Sequence, residues 1–266
     1  MRTLIFVAFL LSFTAARASE WTVVVLDNPP YAYLHEGRIC GTGVRIARMV
    51  MDSLGRDYQI RVVPWARALT MVRSGEAQIG LHASKTSKRS EYAHFTKQPI
   101  ILERYKFYQR AGDSLLDVNG HARIPGLRLG LQRGYNYPQV MQTVAAEVET
   151  VILDDVSQGL NMIHAGRIDL FLGDSRPVEY WLRELGLDEE ITPVFDDGRY
   201  PSKLLEEFPN FLFLSKNTTD TADLKLVNDY LYRLNLEYVQ PPTADLANRI
   251  EQNASNAPYE NSCGRP

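Results

Sequence analysis

Apolar and polar positions along this chain switch between two periods, and the switches mark its elements. "WTVVVL", from Trp21 to Leu26, is apolar and β-branched, as a strand is, and it breaks at Pro29-Pro30. In "GTGVRIARMVMDSLG" the apolar positions Val44, Ala47, Val50, Met51 and Leu54 follow helical spacing, and Gly55 ends the run. "YQIRVVP" predicts a strand, "WARALTMVRSGE" a helix that starts just after Pro64, and "AQIGLHA" a buried strand. The order β-α-β-α-β implies a mostly parallel sheet with helices on its faces. After the long strand "ILERYKFYQRAG" and a punctuated stretch, "GDSLLDVNGHARIPG", a second alternation opens. "LRLGLQRG" is a strand, "YNYPQVMQTVAAE" a turn into a helix, "VETVIL" a strand and "DDVSQGLNMIHAGR" a helix. "IDLFLGD" is a strand, "SRPVEYWLRELG" a helix, and "ITPVFDD" and "FPNFLFLSKN" are further strands. "TADLKLVNDYLYRLNLEY" and "TADLANRIEQ" predict closing helices.

Two α/β units of roughly 100 residues each fit two lobes. The long strands Ile101–Gln109 and Phe211–Lys216 are the natural connections, so the chain leaves lobe one, builds lobe two and returns. Lobe one is then residues 19–109 and 214–266, and lobe two is residues 110–213. In such folds binding concentrates where loops leave the carboxyl ends of strands and in the cleft between lobes.

Residues 1–18 do not belong to this pattern. Arg2 precedes the apolar run Leu4–Phe13, and Ala16-Arg17-Ala18 fits a small-x-small cleavage site, so they read as a secretory signal peptide cleaved near Ala18. Its loss removes Arg2 and Arg17 and takes the formal charge from −3 to −5. With no basic block, that charge argues against a nucleic-acid partner. Hydrophobic residues make up 45% and charged residues 23%, enough for a packed core. An exported chain with two cysteines, Cys40 and Cys263, is expected to join them in a disulfide rather than keep two free thiols. Closing so long a loop would add roughly 4 kcal/mol.

The candidate chemistry lies at two strand ends. "HASKTSKR" follows the buried strand "AQIGLHA" with hydroxyls and positive charge. Arg89 presents a planar fork that matches a carboxylate, or else it is one more surface cation beside Lys85 and Lys88. Thr86 can cap the short turn that aims Arg89, and Ser84 can supply a hydroxyl donor. His82 can donate to a ligand or be a satisfied polar group. Asp174 ends the strand "IDLFLGD", where a buried carboxylate needs a partner: either a ligand ammonium or, as an N-cap, the helix that follows, with Arg176 alongside. Tyr31, Tyr33 and Trp65 stand at loop or helix starts, where aromatics either cover a ligand or join the core. After Gly134, free backbone N–H groups at Tyr135 and Asn136 can hold a carboxylate oxygen if a helix begins there.

Six segments, in order, resemble the family-3 periplasmic solute-binding proteins, the receptor type of polar amino-acid ABC transport systems. They are "NPPYAY", "GTGVRIARMV", "PWARALTMVRSGEAQIG", "TSKRSEYAHFT", "LRLGLQRGYNY" and "AGRIDLFLGD". The resemblance covers nearly all of the chain after residue 18. It implies an α/β, type II periplasmic binding protein fold: two lobes, each a mixed, mostly parallel sheet flanked by helices, joined by two hinge strands and closing on a ligand like a flytrap. It also implies that Arg89 pairs with a ligand α-carboxylate, that Asp174 pairs with its α-ammonium, and that aromatics stack on its side chain. No cofactor or metal is implied. The expected partners are a small amino acid or carboxylate and an inner-membrane ABC permease, and the expected form is a periplasmic monomer. One departure is Arg45, where many members carry an acid; with Arg67 it would favour a more acidic ligand if either faced the cleft. Two alternatives share the scaffold. One is a sensing module for a membrane receptor. The other is a dehydratase of cyclohexadienyl acids, which needs a general acid such as His82, Asp174 or Glu179.

Overall fold

In the computed structural model, which describes residues 20–116, 121–194 and 207–238, ten of the described strands join into one sheet built in two halves. The first half holds β1 (Trp21–Val25), β4 (Tyr58–Val62) and β5 (Ile79–Ser84), with β1 central and parallel to both neighbours. A small hairpin of β2 (Tyr33–His35) and β3 (Arg38–Cys40) leads into helix α1 (Thr42–Leu54). Helix α2 (Trp65–Ser74) lies between β4 and β5 in the chain. The one-turn helix α3 (Ser87–Ser90) and β6 (Ala93–Phe95) follow β5.

The second half repeats the plan. Strands β8 (Arg128–Gln132), β9 (Glu149–Leu153) and β10 (Leu170–Asp174) run parallel, with β8 in the middle. Helices α4 (Gln139–Ala146), α5 (Val156–His164) and α6 (Ser175–Leu185) connect and cover them. The periodic segments behave as their spacing predicts. Val44, Ala47, Val50 and Met51 of α1 are all buried, and Gly55 closes the helix in the left-handed conformation at φ 60°. Helix α4 begins at Gln139, after Pro138, rather than directly after Gly134, because a proline pushes the residue before it out of the helical region and so the helix starts beyond it.

Two long strands join the halves. β7 (Ile101–Arg110) and β12 (Glu207–Ser215) pair antiparallel. Residues Ile101–Arg104 of β7 pair with β12, whereas Tyr105–Tyr108 pair with β10 of the second half. The far end of β12 pairs with β5 and β6 of the first half. Glu103, Arg104 and Tyr105 therefore stand where the chain passes from one half to the other. Short β11 (Ile191–Pro193) lies on the free side of β7, and α7 (Thr221–Tyr238) packs on α1. β12 starts earlier than its apolar run implies, since Pro209 does not end it.

Each half has its own core. Val23, Val44, Val50, Leu81 and Leu214 gather on one face of the first half, and Trp65, Met71, Phe95 and Phe213 on the other. Phe107, Leu129, Met141 and Leu172 form one core of the second half, and Leu160, Phe171 and Val178 the other. Burying one such side chain contributes about 1.5–3 kcal/mol. Among the described residues no helix is long and apolar enough to cross a membrane. The expected signal peptide, the second closing helix and Cys263 lie outside the described residues, so the expected Cys40–Cys263 bond does too. Cys40 itself is buried, at 2% exposure, at the end of β3.

Candidate functional site

β5 is buried over its whole length and leads straight into a pocket. Its pairing with β12 shifts register: Ala83 faces Phe211 and Gly80 faces Phe213, so Leu81 and His82 share one opposing residue, Leu212. This bulge puts His82 at φ 71°, left-handed backbone that a non-glycine residue adopts at a cost of about 1–3 kcal/mol. The extra residue turns the His82 ring onto β7, where its Nε2 lies 2.7 Å from Oε1 of Glu103.

Glu103 is 3% exposed and heavily bonded. Its other oxygen accepts from the Tyr105 hydroxyl at 2.6 Å, and the Asn210 side chain bonds to it as well. Burial raises the Glu103 carboxyl. The His82 charge and the hydrogen bonds from His82, Tyr105 and Asn210 outweigh that and hold it below its ordinary value. The buried Tyr105 and Tyr135 hydroxyls are pushed well up, first by burial and then by the Glu103 charge, so both stay protonated.

The positive end of the pocket is built at the end of β5. Thr86 caps α3 by accepting from the Arg89 backbone N–H at 3.1 Å. That fixes the turn from which Arg89 reaches back to the strand. Its Nη1 donates to the Ser84 carbonyl at 2.8 Å and to the Ser84 hydroxyl at 2.6 Å, and its Nη2 donates to the Gly134 carbonyl at 2.9 Å. Trp65 Nε1 donates to the same Gly134 oxygen at 3.1 Å, and the guanidinium carbon lies 5.4 Å from the indole centroid. A guanidinium has five N–H donors, and these bonds use three. Burial lowers the Arg89 pKa, but an Arg stays charged. After Gly134 it is a carbonyl, not an N–H group, that faces Arg89.

A second contact between the halves runs through Asp174. Its Oδ2 accepts from the Tyr31 hydroxyl at 2.6 Å and its Oδ1 from the Arg104 backbone N–H at 2.8 Å. Arg176 Nη1 lies 3.5 Å from the Tyr31 oxygen. Asp174 is the N-cap residue of α6, but its side chain makes no cap bond. Burial pushes its carboxyl up to about 7, with the Glu103 charge adding to the push, while Tyr31 and Arg104 pull the other way.

The pocket is a narrow, partly open space lined by residues of both halves, among them Arg89 and Glu103 from the first half's end of the sheet and Tyr135 and Asn136 beyond Gly134. Of the residues singled out in the sequence, Trp65, His82, Ser84, Arg89, Tyr135 and Asn136 line it. Thr86 acts one step back, as the cap. Tyr31 and Asp174 bond to each other, and Tyr33 packs on Tyr180 with ring centroids 6.4 Å apart. Arg67 pairs with Glu76 at 2.6 Å on an exposed face of α2, and neither Arg45 nor Arg67 lines the pocket. Sequence reasoning missed Leu26, Glu103, Tyr105 and Asn210. The one available signal was the alternation in "ILERYKFYQR", which sets Glu103 and Tyr105 on the same face as the apolar Ile101 and Phe107. Among the described residues there is no acidic, His or Cys cluster that could hold a metal. The arrangement sets a fixed cation, Arg89, and a fixed anion, Glu103, in the walls of one pocket.

The family model of the bacterial extracellular solute-binding proteins, family 3, matches residues 22–237. No curated protein matches the sequence. Among solved structures, an ancestral arginine-binding protein bound to arginine superposes with a TM-score of 0.69 at 16% identity, covering 88% of this chain and 96% of its own. A histidine kinase sensor domain with similarity to periplasmic binding proteins gives 0.69 at 18% identity, covering 89% and 96%. The substrate-binding protein of an amino acid ABC transporter gives 0.68 at 14% identity, covering 90% and 99%. At these identities the likeness is one of fold, and it is the two-lobed periplasmic binding protein fold.

Proposed function

The chain belongs to the bacterial extracellular solute-binding proteins of family 3, and from that premise we propose that it captures a small amino acid or related carboxylate in the pocket between its halves and delivers it, in the periplasm, to an ABC permease. The halves are lobe one, residues 19–109 and 214–266, and lobe two, residues 110–213. Residues 1–18 are a cleaved signal peptide, and the protein acts as a monomer without cofactor or catalysis. The observation that carries this reading is Arg89: a buried guanidinium at a pocket wall, with three donors held by protein oxygens and two left over.

A carboxylate enters in place of the Gly134 carbonyl. The neutral acceptor contributes about 1 kcal/mol net, whereas a hydrogen bond between charged groups contributes about 1.5–3 kcal/mol. Trp65 and Tyr135 flank the guest, and Ser84 and Asn136 add polar contacts. The lobes open and close about β7 and β12, and a ligand that touches both lobes selects the closed form. Opening breaks the bonds from Arg89 and Trp65 to Gly134 and from Tyr31 to Asp174; the closed, loaded form keeps the last two, so the ligand's bonds need offset only the Arg89–Gly134 bond that its carboxylate displaces.

Thermal unfolding of the mature chain with a panel of amino acids and small carboxylates tests this. A true ligand at a hundred times its dissociation constant adds about 2.7 kcal/mol of stability. Arg89→Ala abolishes that shift, and Arg89→Lys, which keeps charge without the fork, recovers only part of it. An undiminished shift in both variants removes Arg89 from the site.

A second reading is favoured by the likeness to the kinase sensor domain: the same ligand capture serving a membrane receptor instead of a permease. Co-purification of the ligand-loaded protein from membranes separates the two, by whether a permease or a receptor comes with it.

A further inference from the structure

We propose that Glu103, and not Asp174, is the acid that reads the ligand, receiving a cationic nitrogen donor from a molecule whose carboxylate end is held by Arg89. The proposal rests on the reading above that Arg89 takes a carboxylate, and it narrows the ligand class to zwitterions.

Glu103 and Asp174 are both almost fully buried, but they are placed differently. Glu103 lines the pocket together with Arg89; Asp174 does not. Both Asp174 oxygens are engaged, one by Tyr31 of the first half and one by the backbone of β7, which makes it a contact between halves. A carboxylate has about four acceptor directions. His82 takes one on Oε1 and Tyr105 one on Oε2, and Asn210 takes at most one more, so at least one remains on a carboxylate that lines the pocket.

The backbone supports the same assignment. Ser84 on β5 pairs with Asn210 on β12, and Asn210 pairs with Ile101 on β7. Glu103 is two residues farther along β7, on the same face as Ile101. The cation-bearing end of β5 and the acid on β7 are thus separated by one strand, on the order of 10 Å from Ser84 to Glu103 in backbone terms. Side chains from both reach into the gap. The bulge that forces His82 into left-handed backbone brings that ring onto Glu103. Strain at a pocket wall persists where the surroundings demand it, and here it supplies the anion with a fixed partner. A ligand with a carboxylate alone would satisfy Arg89 and leave its own charge facing Glu103. A zwitterion satisfies both.

The test measures binding to the mature protein with matched pairs: L-alanine and propanoate, L-glutamate and glutarate, 4-aminobutanoate and butanoate. Wild type favours the nitrogen-bearing member. Glu103→Gln weakens that member by about tenfold or more, the size of one charge-assisted bond, and shrinks its preference over the plain carboxylate. Asp174→Asn leaves the preference in place. A preference that survives Glu103→Gln and collapses in Asp174→Asn overturns the proposal and leaves the Arg89 reading standing. No binding of any member of the panel overturns both. Should Glu103→Gln fail to fold, a crystal structure of the wild type with the tightest-binding zwitterion decides. The ligand nitrogen within about 3.2 Å of Glu103 supports the proposal, and the same nitrogen on Asp174 refutes it.

Discussion

Asp174 links a buried carboxyl to the pH dependence of folding, and the size of the effect follows from its surroundings. In the unfolded chain its pKa is near 3.8; in the folded protein burial and the Glu103 charge raise it to about 7. The folded protein therefore holds a proton that the unfolded chain releases between about pH 4 and pH 7. Where the folded state binds more protons, stability falls as pH rises. Each pKa unit is worth about 1.4 kcal/mol, so the charged form costs at most about 4 kcal/mol once the pH exceeds 7. Asp174→Asn removes the titration and keeps the shape. The amide oxygen can accept from Arg104 N–H while the amide nitrogen donates to the Tyr31 oxygen, whose hydroxyl rotates. Urea unfolding of both proteins at pH 4, 6 and 8 then gives a difference in stability, variant minus wild type, that grows with pH by about 2–4 kcal/mol. Titrating groups that do not interact with Asp174 cancel in that difference, and its range covers the response of Glu103 and His82, which do. A difference flat to within about 0.5 kcal/mol, close to the extrapolation error, or one that shrinks with pH, would refute the account of a penalised Asp174 charge.

Other expectations concern packing and the cysteines. Gly80→Ala puts a methyl group into the Phe213 ring, which is stacked on Phe95 and wedged against Trp65, so the ring has nowhere to go. The variant should lose about 2 kcal/mol or more in denaturant unfolding, and a loss under about 0.5 kcal/mol would show that the ring yields. The exported protein, denatured without reductant, should contain no titratable thiol if Cys40 and Cys263 are bonded. Two thiols per chain would refute the bond.

The fold was largely legible in the sequence because its evidence is local. Helical spacing in Val44–Leu54, the β-branched run Trp21–Val25 and the alternation of strand and helix each report burial over a few residues. The order of these elements then leaves few parallel topologies. The Arg89 end of the pocket was legible for the same reason: strand, hydroxyls, cap and guanidinium lie within eleven residues, from Ile79 to Arg89. The acid end was not. Glu103 looked like one polar position in an amphipathic strand, and its place at the crossing between halves exists only because β7 pairs with β12 and then with β10. The partner of Asp174, Tyr31, is 143 positions away in the chain. The left-handed His82 comes from a register shift against a strand about 130 residues later, which no local pattern encodes. Period and composition decide which face of an element is buried; which charged groups then meet is decided by long-range strand pairing, because it alone brings distant side chains within reach of one another.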